Sequence, residues 1–167
     1  MANHGQVVNF YRATEPYGEF SNFARYSIWL DDRRWPTSEH YFQAMKFLEL
    51  SHQEEIRFER SPKIAAEMGR SRKRPLRMDW ESVKDQVMRQ AVLAKFTQHD
   101  ELKALLLSTG NAKLVEHTTN DSYWGDGGDG SGKNRLGLIL MEVREQLRQE
   151  VAQTPKGSQG QIESKSK

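Results

Sequence analysis

A chain of 167 residues without cysteine cannot form disulfides, a thiolate nucleophile or a cysteine-rich metal site, and it is long enough to bury the core of one domain. Three lysines and one glutamate in residues 151–167 supply the whole formal net charge of +2, so the remaining body is about neutral and is not expected to bind nucleic acid in general. The first residues lack the pattern of a signal peptide and no run of 18 apolar residues occurs, so we expect a cytoplasmic protein that does not cross a membrane.

The N-terminal part of the chain is predicted to form short strands. Val7–Tyr11 is a strand candidate, and Tyr26–Leu30 with Arg33–Trp35 has the pattern of a hairpin that turns at Asp31 and Asp32. These segments are expected to form a small N-terminal sheet, preceded by flexible residues 1–6.

Helices are predicted to follow the hairpin. Thr37 is the expected N-cap of a helix from Ser38 to about Glu49. Ser51 and Glu54 have the spacing of a capping box, which predicts a second helix that ends near residue 60.

A third short helix is expected to open at Ser61, because Pro62 then takes the first helical position, and to end at Gly69 in the left-handed conformation. Asp79 is the expected cap of a longer helix over residues 80–96, in which Trp80, Val83, Val87, Ala91 and Ala94 recur at helical spacing.

The C-terminal half continues this mainly helical pattern. Asp100 and Gly110 bracket another helix, Lys113–Thr118 is a possible strand, and apolar residues from Leu136 to Leu147 mark a closing helix. Residues 151–167 lack aromatic side chains and are expected to be disordered. The sequence therefore predicts a single α+β domain over residues 7–150, mainly helical with a small sheet.

Three polar residues share one face of the first predicted helix. Glu39, Gln43 and Lys46 are spaced at i, i+4 and i+7, whereas the residues between them are mostly apolar. A polar stripe on a buried helix requires partners. The structural alternatives are a first-turn carboxylate favoured by the helix dipole and a lysine whose stem lies along apolar surface.

A glycine-rich segment runs from Glu116 to Gly137 and is too long and too irregular for a simple turn. Its glycines permit close approach to a ligand, and Tyr123 and Trp124 offer stacking faces beside Asp121 and Asp126. An ATPase loop is disfavoured because Asn134 stands where Ser or Thr would hold Mg²⁺, and the aspartate spacing does not fit a calcium loop. A surface turn is the remaining alternative.

Two further segments are candidate contacts to a ligand. The segment from Arg70 to Arg77 carries five basic residues and could hold a phosphate, although a solvated basic turn fits equally well. Between the first strands, Asn22 in Phe20–Phe23 could contact a base edge or a ribose hydroxyl. The five histidines have no metal-ligand spacing, so neither a metal nor a cofactor is predicted.

Four ordered blocks of the sequence resemble one family. They are Gly18–Phe23, Trp35–Lys46, the segment that begins Pro75-Leu76-Arg77 and continues through Trp80 and Lys84, and Trp124–Gly137. Together they closely resemble the NADAR family, also called the YbiA-like or riboflavin-biosynthesis-intermediate N-glycosidase family, over about residues 8–149.

This resemblance implies a small-molecule substrate. The family activity is hydrolysis of the ribosyl C–N bond in 5-amino-6-(5-phosphoribosylamino)uracil and its 2,5-diamino-pyrimidinone precursor, which gives ribose 5-phosphate and a free pyrimidine. Relatives that remove ADP-ribose from guanine make an ADP-ribosyl-guanine hydrolase the first alternative, with nucleic acid a partner only as an ADP-ribosylated substrate. A non-catalytic module that binds ADP-ribose or nucleotides, and a structural adaptor, are the others; no oligomeric state is predicted.

Cleavage through an oxocarbenium-like state requires a carboxylate near the anomeric carbon, an activated water and a proton donor for the departing nitrogen. We assign stabilisation of the cation or activation of water to Glu39, and the role of second acid or ribose-binding group to Asp126 or Asp121. Lys46 is expected to orient Glu39 or to meet the anomeric centre. We expect Trp124 to stack on the base and Asn134 to fix the loop against the first helix. The predicted substrate-binding residues are Ser21, Asn22, Phe23, Tyr41, Gln43, Trp80, Lys84, Asp121, Tyr123, Trp124, Gly125 and Asn134.

Overall fold

A computed structural model describes residues 5–153. In chain order its elements are β1 (Val7–Phe10), β2 (Ile28–Leu30), β3 (Arg33–Trp35), α1 (Ser38–Ala44), α2 (Leu50–Arg57), α3 (Pro62–Arg70), α4 (Trp80–Gln98), α5 (Asp100–Ser108), β4 (Lys113–Glu116) and α6 (Arg135–Gln153). A short 3-10 helix, Gly18–Phe20, lies between β1 and β2. The predicted mainly helical α+β class is confirmed.

The strands form two separate pairs and not one N-terminal sheet. The hairpin β2–β3 is antiparallel, and its turn residues Asp31 and Asp32 have φ of 55° and 58°. In contrast, β1 pairs in parallel with β4, so that Val7 lies opposite Lys113. Local turn signals predicted the hairpin, whereas the partner of β1 lies about a hundred residues away and left no local signal.

Helix α1 ends at Ala44, five residues before the predicted end. The chain then leaves the helix axis, and Arg77 takes up the carbonyl groups that a longer helix would have used internally. Its backbone N–H donates to Lys46 O at 2.9 Å and its guanidinium donates to Met45 O at 3.4 Å. This turn buries Phe47 completely, so tertiary packing overrides the helical propensity of the segment.

Two of the predicted N-caps are confirmed. Thr37 accepts from the His40 N–H at 3.2 Å, and Ser61 accepts from the Ile64 N–H at 3.3 Å with Pro62 at the start of α3. Both caps depend on neighbouring residues alone, which explains why the sequence predicted them.

Three other end signals were wrong at least in part. Helix α2 already begins at Leu50, and Glu54 binds Arg33 and Arg57 instead of forming a capping box. Asp79 occupies the predicted N-cap position of α4, but its side chain pairs with Arg77 and makes no capping hydrogen bond. Gly69 lies inside α3 and does not end it in the left-handed conformation.

The core lies between α4, α6 and α1. The predicted apolar face of α4 is buried at Val87, Ala91 and Ala94, and Lys95 on the same helix is buried as well. On α6 the predicted apolar residues Leu136, Ile139, Leu140, Val143 and Leu147 are all buried. Helix α6 continues to Gln153, three residues into the predicted tail; the rest of that tail and residues 1–4 lie outside the described residues.

Candidate active site

A cavity of about 980 Å³ opens between α1, α3, the Phe20–Phe23 segment and the glycine-rich segment. It is lined by Tyr11, Arg12, Ala13, Ser21, Asn22, Phe23, Arg25, Glu39, Phe42, Gln43, Lys46, Pro62, Lys63, Ala66, Arg70, Met88, Glu116, Asn120, Asp121, Trp124 and Leu136. The carboxylate at the start of α1 and the aromatic and acidic residues of the glycine-rich segment therefore face one space, although they are far apart in the sequence.

Glu39 is buried at the first turn of α1. Gln43, one turn later, donates its side-chain N–H to Glu39 Oε1 at 2.7 Å. Burial raises the pKa of Glu39, while the Gln43 hydrogen bond and the positive charge of Lys46 oppose that rise. The sequence prediction that Glu39 and Gln43 share a face is confirmed by this bond, and the pair places a carboxylate with a fixed orientation on the cavity wall.

Lys46 follows α1 and is also buried. Burial lowers the pKa of its ammonium group to about 8; Glu39 opposes the change, and Arg72 and Arg70 add to it. The Nζ atom lies 5.7 Å from the ring centroid of Phe42 and 5.8 Å from that of Trp80. A lysine with a lowered pKa beside a carboxylate can exchange protons near neutral pH.

The Phe20–Phe23 segment is held by buried polar groups. Ser38 donates to Asn22 Oδ1 at 2.9 Å, and Asn22 donates to Met88 Sδ at 3.2 Å. Lys95 donates to the Ser21 carbonyl at 2.9 Å. Asn22 thus lines the cavity with its amide already engaged, whereas Phe23 is exposed at the cavity wall.

Trp124 and Asp121 bring the glycine-rich segment into the cavity. The Trp124 ring packs edge-on against Phe42, with 5.2 Å between centroids. Asp121 Oδ1 accepts from the backbone N–H groups of Tyr123 and Trp124 at 2.9 Å and 2.8 Å. These bonds fix the carboxylate and the indole relative to each other.

Asp126 lies elsewhere. It lines a smaller cavity of about 380 Å³ along β1 and β4, accepts from the backbone N–H groups of Thr118 and Gly128, and bonds His117 at 2.7 Å. Burial opposes the change, but these hydrogen bonds lower the pKa of Asp126. The structure therefore places Asp126 as an anchor of the glycine-rich segment and not on the wall of the large cavity.

Asn134 links the glycine-rich segment to β4, and not to the first helix as we expected. It has φ of 50°, accepts from the Glu116 N–H at 3.0 Å and donates to Leu114 O at 2.9 Å. Gly125 is equally constrained, because a Cβ there would lie 2.8 Å from the Glu116 and Asp121 carbonyls. Both residues shape the segment instead of facing the large cavity.

Four other predicted contacts lie behind the cavity wall. Tyr41 donates to Gln90 at 3.2 Å and lies 3.4 Å from Asp31, and burial raises its pKa to about 12. The ring of Trp80 packs against Phe42 at 5.1 Å. The remaining two residues of this group, Tyr123 and Lys84, contact each other.

Tyr123 donates to Asp85 at 2.6 Å, and Lys84 lies over its ring at 3.9 Å while pairing with Glu81. Neither side chain lines the large cavity. Their contacts hold the glycine-rich segment against α4, which supports Trp124 from behind.

In the basic segment from Arg70 to Arg77, one arginine lines the cavity and three others bind groups of the protein itself. Arg70 lines the cavity, whereas Arg74 pairs with Glu55, Arg77 pairs with Asp79, and Arg72 donates to Gly69 O. The other cationic side chains that line the cavity, besides Lys46, are Arg12, Arg25 and Lys63, none of which the sequence analysis had selected. Their positive charge suits an anionic group at the cavity mouth.

Glu116 is a cavity residue that the sequence analysis named without giving it a role. It ends β4 where the strand meets the glycine-rich segment. Its position at the end of a strand was the available signal, since residues at strand ends before long loops are often functional. Among the described residues, no group of three or more His, Asp or Glu side chains is arranged to hold a metal ion, and no helix is both long and apolar enough to cross a bilayer.

Comparison with known proteins gives a consistent result. The NADAR domain model matches residues 9–148. N-glycosidase YbiA of Escherichia coli (strain K12) is 64% identical over 141 residues, covering 84% of this chain and 88% of that protein. The riboflavin biosynthesis protein VVA0006 of Vibrio vulnificus is 42% identical over 144 residues, covering 86% of this chain and 39% of that protein. The NMR structure of Escherichia coli YbiA matches with a TM-score of 0.86 at 59% identity, covering 95% of this chain and 93% of that one.

Proposed function

The chain belongs to the NADAR family, and from this membership and the cavity we propose that it is an N-glycosidase that hydrolyses the ribosyl C–N bond of a phosphorylated ribosylamino-pyrimidine. Its relatives are named N-glycosidases, and one relative is named a riboflavin biosynthesis protein. The substrates we propose are 5-amino-6-(5-phosphoribosylamino)uracil and its 2,5-diamino-pyrimidinone precursor.

One observation carries the proposal: Glu39, Lys46, Asp121 and Trp124 line a single cavity. Its volume of about 980 Å³ accommodates a nucleotide-sized ligand, since small-molecule pockets measure about 300–1,000 Å³. The same space therefore offers carboxylates for a sugar cation and an aromatic face for a base.

Glu39 acts on the sugar in this proposal. As the C–N bond breaks, positive charge develops on the ribose ring and is stabilised by an adjacent carboxylate. Lys46 and the Gln43 amide both favour the ionised form of Glu39 against the effect of burial. Gln43 also restricts the carboxylate to one orientation, so little reorganisation is required during the reaction.

The remaining groups bind substrate. Trp124 stacks on the pyrimidine, and Asp121 accepts a hydrogen bond from a ribose hydroxyl. Arg70 and Lys63 on the cavity wall bind the 5'-phosphate. This arrangement requires neither a metal nor a covalent cofactor, because carboxylates suffice for glycoside hydrolysis.

A direct assay tests the proposal. The purified full chain is incubated with 5-amino-6-(5-phosphoribosylamino)uracil, and ribose 5-phosphate and free pyrimidine are measured. We expect equal release of both products and a loss of about 100-fold or more in Glu39→Gln, which removes the charge and keeps the shape. Glu101→Gln, an exposed residue of α5, is the matched control and should retain full activity.

Two results would contradict the proposal. Tight binding with intact substrate would favour the non-catalytic binding module. Release of ADP-ribose from ADP-ribosylated guanosine, without ribose 5-phosphate from the pyrimidine, would favour the alternative hydrolase. The cavity volume of about 980 Å³ lies at the upper end of the usual range and could admit that larger substrate, so both substrates belong in the assay.

A further inference from the structure

The backbone of Glu116, a cavity carboxylate, is held by contacts to the glycine-rich segment. Its N–H donates to Asn134 Oδ1 at 3.0 Å, and its carbonyl accepts from the Asp126 N–H at 2.9 Å. Gly125 approaches so closely that a Cβ there would lie 2.8 Å from this carbonyl. The loop that follows β4 therefore holds Glu116 in one place at the cavity wall.

The carboxyl group of Glu116, in contrast, has a buried oxygen without a partner. Among residues 5–153, no group donates a hydrogen bond to its Oε2 atom. A buried ionised carboxylate without a donor is costly, so such a group takes up a proton. In the neutral form its O–H is a donor that can point into the cavity.

The surroundings of Glu116 also favour the protonated form. Burial raises its pKa to about 8, and the negative charges of Asp121, Glu39 and Asp126 add to this shift. These charges come from α1 and from the glycine-rich segment, which are the elements that face it. At neutral pH the group is therefore mostly protonated.

The other three carboxylates of this cluster are engaged differently. Glu39 accepts from Gln43, and its ionised form is favoured by Lys46. Asp121 Oδ1 accepts from two backbone N–H groups, and Asp126 is held by His117 and by two backbone N–H groups. Burial raises the pKa of Glu39 as well, so the distinction lies in the geometry: of these four carboxylates, Glu116 is the one with a buried oxygen to which no described residue donates.

We propose that Glu116 is the general acid that protonates the departing nitrogen, an assignment that rests on the proposed N-glycosidase function. Glu116 transfers its carboxyl proton to the glycosidic nitrogen while the C–N bond breaks and its electron pair moves to that nitrogen. Water then adds to the sugar cation, and the proton that the water releases passes to the Glu116 carboxylate. Ribose 5-phosphate and the free pyrimidine leave, and the acid is restored.

A series of leaving groups tests this role. A general acid matters for a basic leaving group and matters little for one that departs as a stable anion. We therefore compare the ribosylamino-uracil 5'-phosphate, phenyl riboside 5-phosphate and 4-nitrophenyl riboside 5-phosphate. For Glu116→Gln we expect kcat to fall about 10²- to 10⁴-fold on the first two and only about threefold or less on the nitrophenyl substrate.

Glu39→Gln should behave differently from Glu116→Gln, because a group that stabilises the sugar cation is needed for every leaving group. It should lose activity on all three substrates, whereas Glu101→Gln should lose none. Glu116→Asp, which keeps an acid on a shorter side chain, should recover part of the activity on the uracil and phenyl substrates. An equal loss for Glu116→Gln on every leaving group would overturn the assignment.

The pH profile of the unmodified protein is a second measurement that does not depend on folding of a variant. With the uracil and phenyl substrates, kcat should fall steeply as pH rises through the region of pH 8, because Glu116 loses its proton there. With the nitrophenyl substrate only the shallower limb from Lys46, whose pKa is also about 8, should remain. Identical alkaline limbs would sink the proposal. If the chain cleaves only the aryl ribosides, the proposed pyrimidine substrate fails, and the phenyl and nitrophenyl pair still decides the role of Glu116.

Discussion

Gln43 occupies the space that a side chain at position 69 would require. Gly69 lies on α3 so close to α1 that a Cβ there would stand 1.8 Å from Gln43 Oε1. The amide that projects over Gly69 also donates to Glu39 at 2.7 Å. A residue without a side chain on one helix thus sets the position of the group that orients the candidate catalytic carboxylate on another.

We expect Gly69→Ala to lower kcat while leaving the free energy of unfolding nearly unchanged. Alanine gains about 1 kcal/mol of helix propensity over glycine, and the clash falls on the end of a flexible side chain that can move away. Moving it breaks the Gln43–Glu39 bond, and hydrogen bonds to charged groups contribute about 1.5–3 kcal/mol. We predict a fall in kcat of about 10- to 100-fold, measured with the ribosylamino-uracil phosphate beside a urea unfolding curve.

A double-mutant cycle checks this mechanism. Gln43→Ala should lower kcat by a similar factor, and Gly69→Ala added to Gln43→Ala should cause no further loss because nothing is left to displace. Losses that multiply in the double variant would show that Gly69 does not act through Gln43.

Gly69 also shows how far sequence reasoning reached. Glycine near the end of a predicted helix favours a left-handed cap, but the sequence cannot show that a second helix crosses at that point. Signals that depend on neighbouring residues, such as Thr37 with its helix and the Asp31–Asp32 turn, were predicted correctly. The helical spacing of Glu39 and Gln43 likewise predicted their contact.

Site residues could be predicted from the sequence where the motif itself contains the reactive or stacking groups. They could not be predicted where a residue's role depends on its burial in the folded protein. Glu39, Lys46 and Trp124 were selected from the sequence and line the cavity. Glu116 was given no role, because the lack of a hydrogen-bond donor at its Oε2 atom arises only when α1, β4 and the glycine-rich segment come together. Asp126 looked similar to Asp121 in sequence, and both accept from backbone N–H groups of the segment, but Asp126 lines the smaller cavity and Asp121 the large one.

Arg70 should bind phosphate and not support the fold. It lines the cavity, whereas Arg74 from the same basic segment pairs with Glu55 on the surface. We predict that Arg70→Met raises KM for the 5'-phosphorylated substrate by about 10-fold or more, with a much smaller change for the same substrate without phosphate. Arg74→Met is the matched control and should change neither KM. An equal rise of KM for both substrates would contradict the phosphate contact.

The stability of the protein should carry a component that falls with rising pH because of Glu116. Its pKa is raised from 4.5 to about 8, so the folded state binds more protons than the unfolded state between these values and stability declines as pH rises through them. Glu116→Gln removes this component. The variant should therefore gain stability relative to the unmodified chain, on the order of a few kcal/mol between about pH 5 and pH 8.

Urea unfolding of both proteins at several pH values measures this difference, with Glu101→Gln as the exposed control that should follow the unmodified chain. If the free energy of unfolding changed with pH in the same way for Glu116→Gln and the unmodified chain, Glu116 would not be buried in its acid form. This measurement does not depend on any substrate, so it tests the protonation state separately from the reaction.

Lys95 should have the opposite effect on stability. It is buried in the core, donates to the Ser21 carbonyl at 2.9 Å, and burial lowers its pKa from 10.5 to about 7, with Glu19 opposing the change. Between these values the folded state binds fewer protons than the unfolded state, so stability rises with pH across this range. Lys95→Met keeps an unbranched side chain of similar size and removes the titration.

We therefore predict that the free energy of unfolding of Lys95→Met minus that of the unmodified chain is larger, in favour of the variant, at about pH 7 than at about pH 9, by on the order of 2 kcal/mol. The absolute value also contains the loss of the Lys95 hydrogen bond to the Ser21 carbonyl, which keeps the Ala24 N–H as a donor at 3.1 Å. This loss, about 0.5–1.5 kcal/mol, does not depend on pH and cancels in the comparison. Lys73→Met, at an exposed position, should show no such difference. If the relative stability of Lys95→Met were the same at both pH values, Lys95 would have to be charged within the core, and its hydrogen bond to Ser21 would then be one that stabilises an ammonium ion.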